Sequence, residues 1–361
     1  MALISYQRNP YTREWNLKLC NMSILKSRSN FEKQKGVLYF IGIPVFFYGL
    51  KDKMVKYSES IFKLFPDHDL YICSYSGAGE VFQLALRLPS FIKKSQKRNP
   101  CVICTNNKLV QIFEMVLGKK IPIYLLPDYR CQFIDKPFEC DGKIIYVPLN
   151  RLYFTTVERN IISNRAHYFD SLLPHLNAVS KDKKYLTPVV SRKIRTIRQE
   201  FAKIAFLSPE ADTINELPLE YWRTIVTNLK GQGYRVYLNA LKPEYKSLDV
   251  VLTCELSYRE ALELCSQSDL LIGLRSGFVE LALFLKSPKS IIIYNQFRDT
   301  CVTKLSSRQA LEGFTLKKLP IRNSNNVVEV CYSDYRDATL LLKEALQKYP
   351  EQSFAQKFGL C

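Results

Sequence analysis

Three consecutive residues, Arg275-Ser276-Gly277, have the chemistry of an anion site. They follow an apolar run that ends in Gly273 and precede a stretch, from Phe278 on, with helical spacing of apolar residues. A strand that turns into a helix leaves backbone N–H groups without partners, and the helix macrodipole favours negative charge there. The guanidinium of Arg275 and the hydroxyl of Ser276 would add hydrogen bonds. The pattern predicts a diphosphate seat, and its alternative is an ordinary strand-to-helix turn with Ser276 as N-cap.

Two side chains could take a proton from an attacking hydroxyl group. Glu80 follows Gly77-Ala78-Gly79, a glycine-rich turn between a predicted strand at 69–76 and a predicted helix from Val81. A carboxylate at such a turn can act as a general base, which makes Glu80 the first candidate. Its alternative role is that of an acidic residue in a first helical turn, where it favours the macrodipole. His68, just before the same strand, is the second candidate.

Other residues near predicted strand ends could contact the same ligand. Ser208, with Glu210 two residues further on, follows a predicted strand that begins at Ile204. Glu280 could accept a hydrogen bond from a ribose hydroxyl, or could be a solvated helix charge. Lys242 follows a predicted strand at 234–238 and could reach a phosphate, with a surface lysine as the alternative.

Strands and helices must alternate to position these residues. The sequence predicts strands at 69–76, 101–105, 121–126, 143–148, 204–208, 234–238, 250–253, 268–273 and 290–294, most of them separated by helical patterns. This alternation predicts an α/β protein with two Rossmann-like, doubly wound parallel sheets facing a cleft. Such sheets bind ligands outside the carboxyl ends of their strands, which is where the candidate residues lie.

The chain divides into five predicted segments. Residues 1–68 form an N-terminal extension with helical patches at 13–25 and 53–64 and a hairpin that turns near Gly42. The others are a Rossmann-like domain at 69–180, a basic linker at 181–203, a second Rossmann-like domain at 204–330, and a C-terminal helix and tail at 331–361. A helical pattern at 159–176 carries His167 and His175.

The composition fits a globular protein with an anionic partner. The chain has 361 residues, enough for two domains, and a formal charge of +18. That charge indicates nucleic acid, an anionic membrane surface or phosphorylated ligands. The eleven cysteines include Cys101 and Cys104 in one CxxC pair, with no second pair or histidine cluster to complete a zinc site. Without a signal peptide, reduced thiols in a cytoplasm are expected.

The order of three motifs resembles the two-domain GT-B glycosyltransferases, above all the bacterial heptosyltransferase-like and capsule or lipopolysaccharide enzymes. The motifs are Gly77–Glu80 with Leu86-Arg87-Leu88-Pro89, Leu207-Ser208-Pro209-Glu210 with Leu217–Trp222, and Asp269–Ala282. The resemblance covers roughly residues 68–295, in pattern more than in identity. Glu80 stands where that group usually has Asp, and Gly277 is followed by Phe278 and Glu280 rather than by Pro and His, so a heptose donor is not implied.

The resemblance implies a hexosyltransferase or related enzyme that moves a sugar from a nucleotide-sugar to a hydroxyl of a saccharide or lipid-linked acceptor. It makes 69–180 the acceptor-side domain and 204–330 the nucleotide-sugar-binding domain. It also implies an inverting mechanism without a metal, and no cofactor beyond the donor. Lys93, Lys94, Lys97 and Arg98, with the basic run at 181–203, would form cationic patches. These patches could dock a cytoplasmic protein on the inner face of the membrane, or could be solvated faces.

Three other functions remain open at the level of sequence. A nucleic-acid-binding protein would suit the charge and the 22 tyrosines and 21 phenylalanines, but the sequence has no recognisable nucleic-acid-binding module. A catalytically silent GT-B partner subunit would share the fold. A nucleotide-sugar epimerase would share the architecture as well.

Overall fold

A computed structural model describes most of the chain. It covers residues 4–8, 15–19, 22–30, 35–40, 43–49, 51–74, 77–128, 131, 134, 137–147, 190–285, 288–298, 305–318 and 324–347. By their contacts the residues form two compact units, and the chain passes from the first to the second near residue 180. The described residues up to Val147 belong to the first unit, and those from Val190 on belong to the second.

The first unit begins with a five-stranded antiparallel sheet whose strands lie in chain order. Its strands are β1 (Ile4–Arg8), β2 (Trp15–Leu19), β3 (Met22–Asn30), β4 (Lys35–Phe40) and β5 (Ile43–Gly49). The antiparallel pair β4–β5 confirms the predicted hairpin. The helix predicted at 13–25 is wrong, because β2 and the start of β3 occupy it. Trp15, Leu17 and Leu19 alternate with polar residues, and this period of two is typical of a strand.

A second sheet of the first unit carries the predicted strand–helix alternation. Helix α1 (Lys51–Leu64) leads into it, and its five strands lie in the order β8-β7-β6-β10-β9. The elements are β6 (Leu70–Ser74), α2 (Ala78–Ser95), β7 (Pro100–Cys104), α3 (Asn107–Leu117), β8 (Ile123–Leu125), β9 (Phe138–Cys140) and β10 (Lys143–Tyr146). All pairs are parallel except β9–β10. The chain moves outward in both directions from β6, so a switch point lies between β6 and β10.

Both faces of this sheet are covered. On one face, Tyr57 and Ile61 of α1 pack with Tyr71, Cys73 and Ile103. Alternate strand residues on the opposite face are buried as well, since α2 and α3 pack together and α3 contacts β7 and β8.

The second unit is built on six parallel strands in the order β13-β12-β11-β14-β15-β16. They are β11 (Ile204–Ser208), β12 (Arg235–Leu238), β13 (Val251–Leu252), β14 (Leu270–Leu274), β15 (Lys289–Tyr294) and β16 (Val327–Cys331). This is the order of a dinucleotide-binding fold, in which the direction of winding reverses between the first and fourth strands. The reversal here lies between β11 and β14.

Helices cover both faces of the second sheet. They are α4 (Arg192–Glu200), α5 (Leu219–Gly231), α6 (Tyr258–Gln267), α7 (Gly277–Leu285), α8 (Ser307–Phe314) and α9 (Ala338–Gln347). On one face, Trp222 of α5 and Leu341 of α9 share a core with Leu207 and Ile272. On the other face, Phe278 of α7 stacks on Phe206 of β11.

Two predicted segment boundaries differ from the structure. The second half of the predicted linker at 181–203 is helix α4, which belongs to the second unit because Arg198 pairs with Asp269 at 3.0 Å. The C-terminal helix, predicted as a separate segment, is α9 of the same unit, since its Leu341 and Leu342 are core residues. The histidine-bearing pattern at 159–176 lies outside the described residues. The α/β class with two doubly wound parallel sheets is confirmed.

Candidate functional site

The Arg275-Ser276-Gly277 corner lies at the switch point of the second sheet, at the carboxyl end of β14. The Ser276 hydroxyl accepts a hydrogen bond from the Val279 N–H at 3.4 Å, and the Ser276 carbonyl accepts one from the Glu280 N–H at 3.1 Å. Ser276 therefore acts as the N-cap of α7, which is the alternative role predicted for it. Ser276 and Gly277 are partly exposed, so the first turn of α7 reaches the surface at this corner.

The side chain of Arg275 is turned into the unit. Its Nη2 donates to Oε2 of Glu280 at 3.0 Å, and its Nη1 donates to the Ser276 carbonyl at 3.1 Å. Its Nε donates to the carbonyl of Phe314 at 3.4 Å, which also accepts a hydrogen bond from the Tyr294 hydroxyl at 3.0 Å. The guanidinium is thus held by protein groups, and the predicted contact between Arg275 and a diphosphate stays a proposal.

Glu280 differs from its predicted role. Its side chain is 1% exposed and forms an ion pair with Arg275. It is neither a solvated helix charge nor a group that a ribose hydroxyl can reach in this conformation. The physical reason is its position in the first turn of α7, since that turn packs against the sheet and a desolvated carboxylate there requires a cation.

Close packing beneath the Arg275-Ser276-Gly277 corner explains why residues 208 and 273 are small. Ser208 pairs with Gly273 in the register of β11 and β14, and Ser208 is buried. A Cβ atom at residue 273 would lie 2.9 Å from Cγ2 of Val279 and 3.1 Å from both Cβ and the carbonyl oxygen of Ser208. Gly273 therefore lets α7 approach the two strands. Ser208 lies in this packing layer, and its predicted phosphate contact stays a proposal.

Glu210 and Lys242 join two loops at the same edge of the sheet. The Glu210 carboxylate accepts hydrogen bonds from the backbone N–H groups of Leu241 and Lys242 at 2.9–3.1 Å. The Lys242 ammonium pairs with Glu216 at 2.6 Å, and Arg298 pairs with the same carboxylate at 2.7 Å. Both predicted nucleotide contacts are therefore engaged within the protein and stay proposals. The sequence pattern did not indicate Glu216 or Arg298.

Tyr258 is a further residue that sequence reasoning missed. It begins α6, and its ring meets the ring of Phe278 edge-on, with centroids 5.6 Å apart. Its hydroxyl oxygen is buried and has no hydrogen-bond partner within the described part of the chain. Burial, and then the nearby charges of Glu280 and Asp212, raise the pKa of the Tyr258 hydroxyl. Ser257 and Glu260 form a capping box that fixes this end of α6.

In the first unit, Gly77 and Glu80 lie at the carboxyl end of β6, beside its switch point. Gly77 is the N-cap of α2 and Glu80 lies in the first turn of that helix. The Glu80 carboxylate folds back over Gly77, because a Cβ atom at residue 77 would lie 2.5 Å from its Oε2. The structure therefore places Glu80 and the Gly77–Gly79 turn together, at the edge where a parallel sheet binds ligands.

His68 lies at the other end of the same strand. Its Nδ1 is 3.2 Å from the carbonyl oxygen of Asn99, and its Nε2 is 2.9 Å from the hydroxyl of Tyr124. His68 precedes β6 whereas Glu80 follows it, so the structure does not bring the two candidate bases together. The carboxylate of the neighbouring Asp69 accepts hydrogen bonds from the backbone N–H groups of Arg98 and Asn99, each at 3.0 Å. These contacts join the start of β6 to the segment before β7.

Within the described ranges no group of three or more His, Cys, Asp or Glu side chains could hold a metal ion. Of the described helices, none has both the length and the apolar character that a membrane span requires.

Comparison with known proteins gives matches among solved structures. No protein-family model matches the sequence, and no curated protein matches it. A family 9 glycosyl transferase from Veillonella parvula is 11% identical, with 80% of this chain and 92% of that chain covered and a TM-score of 0.46. The E. coli heptosyltransferase WaaC with ADP is 11% identical, with 78% and 99% covered and a TM-score of 0.48. The E. coli ADP-heptose lps heptosyltransferase II is 11% identical, with 78% and 98% covered and a TM-score of 0.48.

These three proteins are glycosyltransferases, and two are heptosyltransferases, the group that the sequence motifs resemble. Because each TM-score is below 0.5, neither the fold nor the activity of this chain is inferred from them. The fold follows from the strand orders of the two parallel sheets.

Proposed function

We propose that the chain is a glycosyltransferase that moves a sugar from a nucleotide-sugar to a hydroxyl group of a saccharide acceptor. The observation that carries this proposal is the position of the Arg275-Ser276-Gly277 corner. It closes β14 at the switch point of a six-stranded parallel sheet, where sheets of this strand order bind nucleotides. A second doubly wound sheet supplies Glu80 at its own switch point, which gives a second ligand-binding edge for the acceptor.

The proposed reaction is a direct displacement with inversion. The acceptor oxygen forms a bond to the anomeric carbon while the bond from that carbon to the donor phosphate oxygen breaks, and Glu80 takes the acceptor proton. The departing diphosphate gains negative charge, which the N-terminus of α7 and the Ser276 hydroxyl stabilise. Arg275, fixed by Glu280, adds positive charge behind this turn. The proposed stabilisation uses no metal ion.

Nucleotide binding is the first test. We expect one of UDP, GDP, dTDP, CMP and ADP to raise the melting temperature of the protein. Ser276→Ala should remove that rise, because it removes a hydroxyl of the diphosphate seat. Ser257→Ala is the matched control, since it removes the N-cap of α6 and should leave the nucleotide effect intact. The proposal fails if none of the five nucleotides changes the melting temperature.

Turnover is the second test. Glu80→Gln should abolish sugar transfer and leave the nucleotide-induced rise in melting temperature unchanged. Glu80 lies in the first unit, whereas the proposed nucleotide seat at Ser276 lies in the second. Turnover retained in this variant would remove Glu80 as the base. EDTA should leave turnover unchanged, and strong inhibition by EDTA would contradict the metal-independent mechanism.

One observation favours a second candidate function, that of a catalytically silent partner subunit. The charged residues of the second unit at this edge of the sheet pair with one another. Arg275 pairs with Glu280, and both Lys242 and Arg298 pair with Glu216. A subunit that retains the fold only for assembly would show this internal pairing. Nucleotide binding without turnover on any donor, in a protein that copurifies with an active transferase, would support this candidate.

The location of the acceptor is a separate proposal. Lys93 and Arg98 are exposed near the end of the parallel sheet of the first unit that lies opposite Glu80, and Lys97 donates to the Gly142 carbonyl at 2.7 Å. We propose that this cationic edge docks a cytoplasmic protein on anionic lipid, near a lipid-linked acceptor for capsule or lipopolysaccharide synthesis. Flotation with phosphatidylglycerol vesicles should weaken with salt and in Lys93→Glu. Equal flotation with phosphatidylcholine vesicles would contradict it.

A further inference from the structure

The antiparallel sheet at the start of the chain has no part in the reaction proposed above. Its strands, β1 to β5, contain five Lys or Arg residues and no Asp or Glu residue. The whole chain, by contrast, has 34 acidic residues beside its 52 basic ones. Protein surfaces normally intersperse the two signs. A sheet that carries cations alone is typical of a surface that meets an anionic partner.

The cross-strand register collects most of these cations on one face of the sheet. Successive residues of a strand lie on opposite faces, so Lys26 and Arg28 of β3 share a face. Residues directly opposite them on β2 and β4, and residues two positions further along those strands, lie on the same face. This basic face includes Asn16, Lys18, Lys26, Arg28, Lys35 and Tyr39.

The other face of the sheet is apolar. Leu17 and Leu25 lie directly opposite each other on that face, and both are half-buried. Trp15 and Leu38 lie on the same face, by the alternation of β2 and β4. An antiparallel sheet with one apolar and one polar face packs through its apolar face. The basic face is therefore the face that remains for a partner.

The cations of the basic face have no acidic partner within the sheet. Lys26 lies directly opposite Asn16 and Tyr39, and Arg28 lies directly opposite Val37. The Cα atoms of Lys26 and Arg28 are about 7 Å apart along β3. Two like charges at this spacing repel each other, and an anion bound between them would remove that repulsion.

A row of residues across four strands indicates the kind of anion. Gln7, Asn16, Lys26 and Tyr39 lie directly opposite one another on β1 to β4. Amides both donate and accept hydrogen bonds, as hydroxyl groups require, and a tyrosine ring offers an apolar face. The ammonium group of a lysine binds carboxylate or phosphate. Hydroxyl groups, a ring and an anionic group occur together in an acidic sugar.

We propose that the basic face binds an anionic saccharide, and that the acceptor of the reaction carries carboxylate or phosphate groups. This inference rests on the proposed function, because the sheet belongs to the same unit as the proposed base Glu80. It adds to that function the chemical class of the acceptor and a surface that holds it.

The test measures binding of labelled saccharides to the full chain by fluorescence anisotropy. Oligomers of polygalacturonate supply carboxylate groups, oligomers of phosphomannan supply phosphate groups, and neutral dextran supplies neither. We expect the protein to bind at least one acidic oligomer, with an affinity that falls as salt is added, and not to bind dextran. The double variant Lys26→Gln, Arg28→Gln should bind the acidic oligomer about tenfold more weakly.

Two further variants make the result specific to the basic face. Lys119→Gln, Lys120→Gln is the matched control, because it removes the same charge from two exposed residues of the same unit, and it should bind normally. Lys18→Gln, Lys35→Gln leaves β3 intact and removes two cations of the basic face from the neighbouring strands, so it should also bind more weakly. Melting temperatures close to that of the wild type would show that the variants fold.

Three results would overturn the inference and leave the proposed function standing. The first is a wild-type protein that binds neither acidic oligomer. The second is equal affinity of the wild type and both basic-face variants. The third is tighter binding of a single-stranded oligonucleotide or of phosphatidylglycerol vesicles than of either saccharide, lost in the same variants.

Failure of the proposed function has a separate readout. A wild-type protein that binds an acidic oligomer through the basic face, but shows no nucleotide-induced rise in melting temperature, would remove the glycosyltransferase. The basic face would then remain a saccharide-binding surface, and its ligand would no longer be an acceptor.

Discussion

Arg275 and Glu280 form an ion pair inside the second unit, with 3.0 Å between Nη2 and Oε2 and with side-chain exposures of 11% and 1%. The pair joins Arg275, the first residue after β14, to the first turn of α7. A carboxylate this deeply buried must be paired, so the guanidinium is required by the fold before any ligand binds. The shape of the corner is therefore set in the unbound protein, which favours a preorganised anion site.

The first prediction concerns this pair. Glu280→Ala leaves the Arg275 guanidinium largely buried without its carboxylate, so the free energy of unfolding should fall by about 3–5 kcal/mol. Urea unfolding can be followed through Trp222, which is fully buried in the second unit, in a Trp15→Phe background. Asp249→Asn is the control, because Asp249 pairs with Lys230 at the surface and the loss there should be small. An equal loss in both variants would contradict a structural role for the buried pair.

The second prediction concerns the packing under the corner. Gly273→Ala brings a Cβ atom to 2.9 Å from Cγ2 of Val279 and to 3.1 Å from the backbone oxygen of Ser208, so the packing of α7 on the two strands must shift. The free energy of unfolding should fall by about 1–3 kcal/mol, and nucleotide affinity should fall with it. Gly231→Ala is the control: a Cβ atom there meets nothing within 4 Å, and stability should be equal or slightly higher. If Gly273→Ala were as stable as the wild type, the packing of α7 on β11 and β14 would tolerate a methyl group at residue 273, and the prediction would be wrong.

The sequence predicted the strands and helices that carry this site better than it predicted the side-chain contacts within the site. Continuous apolar runs such as Ile204–Ser208 and Leu270–Leu274 are strands because both faces of a parallel sheet are covered, and such runs are visible in one sequence. The inward turn of Arg275 was not visible, since it depends on the carbonyl of Phe314, 39 residues away. A strand with a charged centre was missed for a related reason.

That strand is β16, whose Glu329 interrupts the apolar pattern. In the structure, Glu329 accepts hydrogen bonds from the Tyr294 hydroxyl at 2.5 Å, the Thr315 hydroxyl at 2.6 Å and the Leu316 N–H at 2.8 Å. These partners come from separate parts of the chain and no local rule brings them together. Local pattern thus predicts elements, whereas polar contacts between distant elements require the fold.

The third prediction concerns alkaline pH and the first unit. Burial raises the pKa of the Cys101 thiol to about 12 and the pKa of the Tyr71 hydroxyl to about 12, both well above their ordinary values. A group with a raised pKa in the folded state contributes stability that is complete below its unfolded pKa and is lost as pH rises towards the folded value. Stability of the first unit should therefore fall between about pH 9 and pH 12.

Hydrogen exchange of the peptide that contains β7, measured in urea at pH 7 to 11, would report this loss. Cys101→Ala removes one of the titrating groups, so its stability should depend less steeply on pH than that of the wild type. Cys254→Ala is the control, because Cys254 is exposed and its removal should leave the pH dependence unchanged. Equal slopes in all three proteins would exclude Cys101 as a source of alkaline destabilisation.

The fourth prediction concerns Gly77 and the proposed base. A Cβ atom at residue 77 would lie 2.5 Å from Oε2 of Glu80, and the obstructing atom is the end of a flexible side chain. Gly77→Ala should therefore fold with nearly normal stability but displace the carboxylate. A displacement of about 1 Å is enough to lower turnover about 100-fold. The measurement is release of the nucleoside diphosphate from the donor found by thermal screening, with acceptor present.

A second variant distinguishes two causes of a lower turnover in Gly77→Ala: a displaced Glu80 carboxylate and a disturbed N-terminus of α2. Glu80→Asp shortens the side chain by one methylene group, which removes the clash with Ala at residue 77. If the position of the carboxylate determines the rate, Gly77→Ala and Glu80→Asp should be less than additive in their losses of turnover. Full turnover of Gly77→Ala would show that the reaction does not depend on where Glu80 holds its carboxylate.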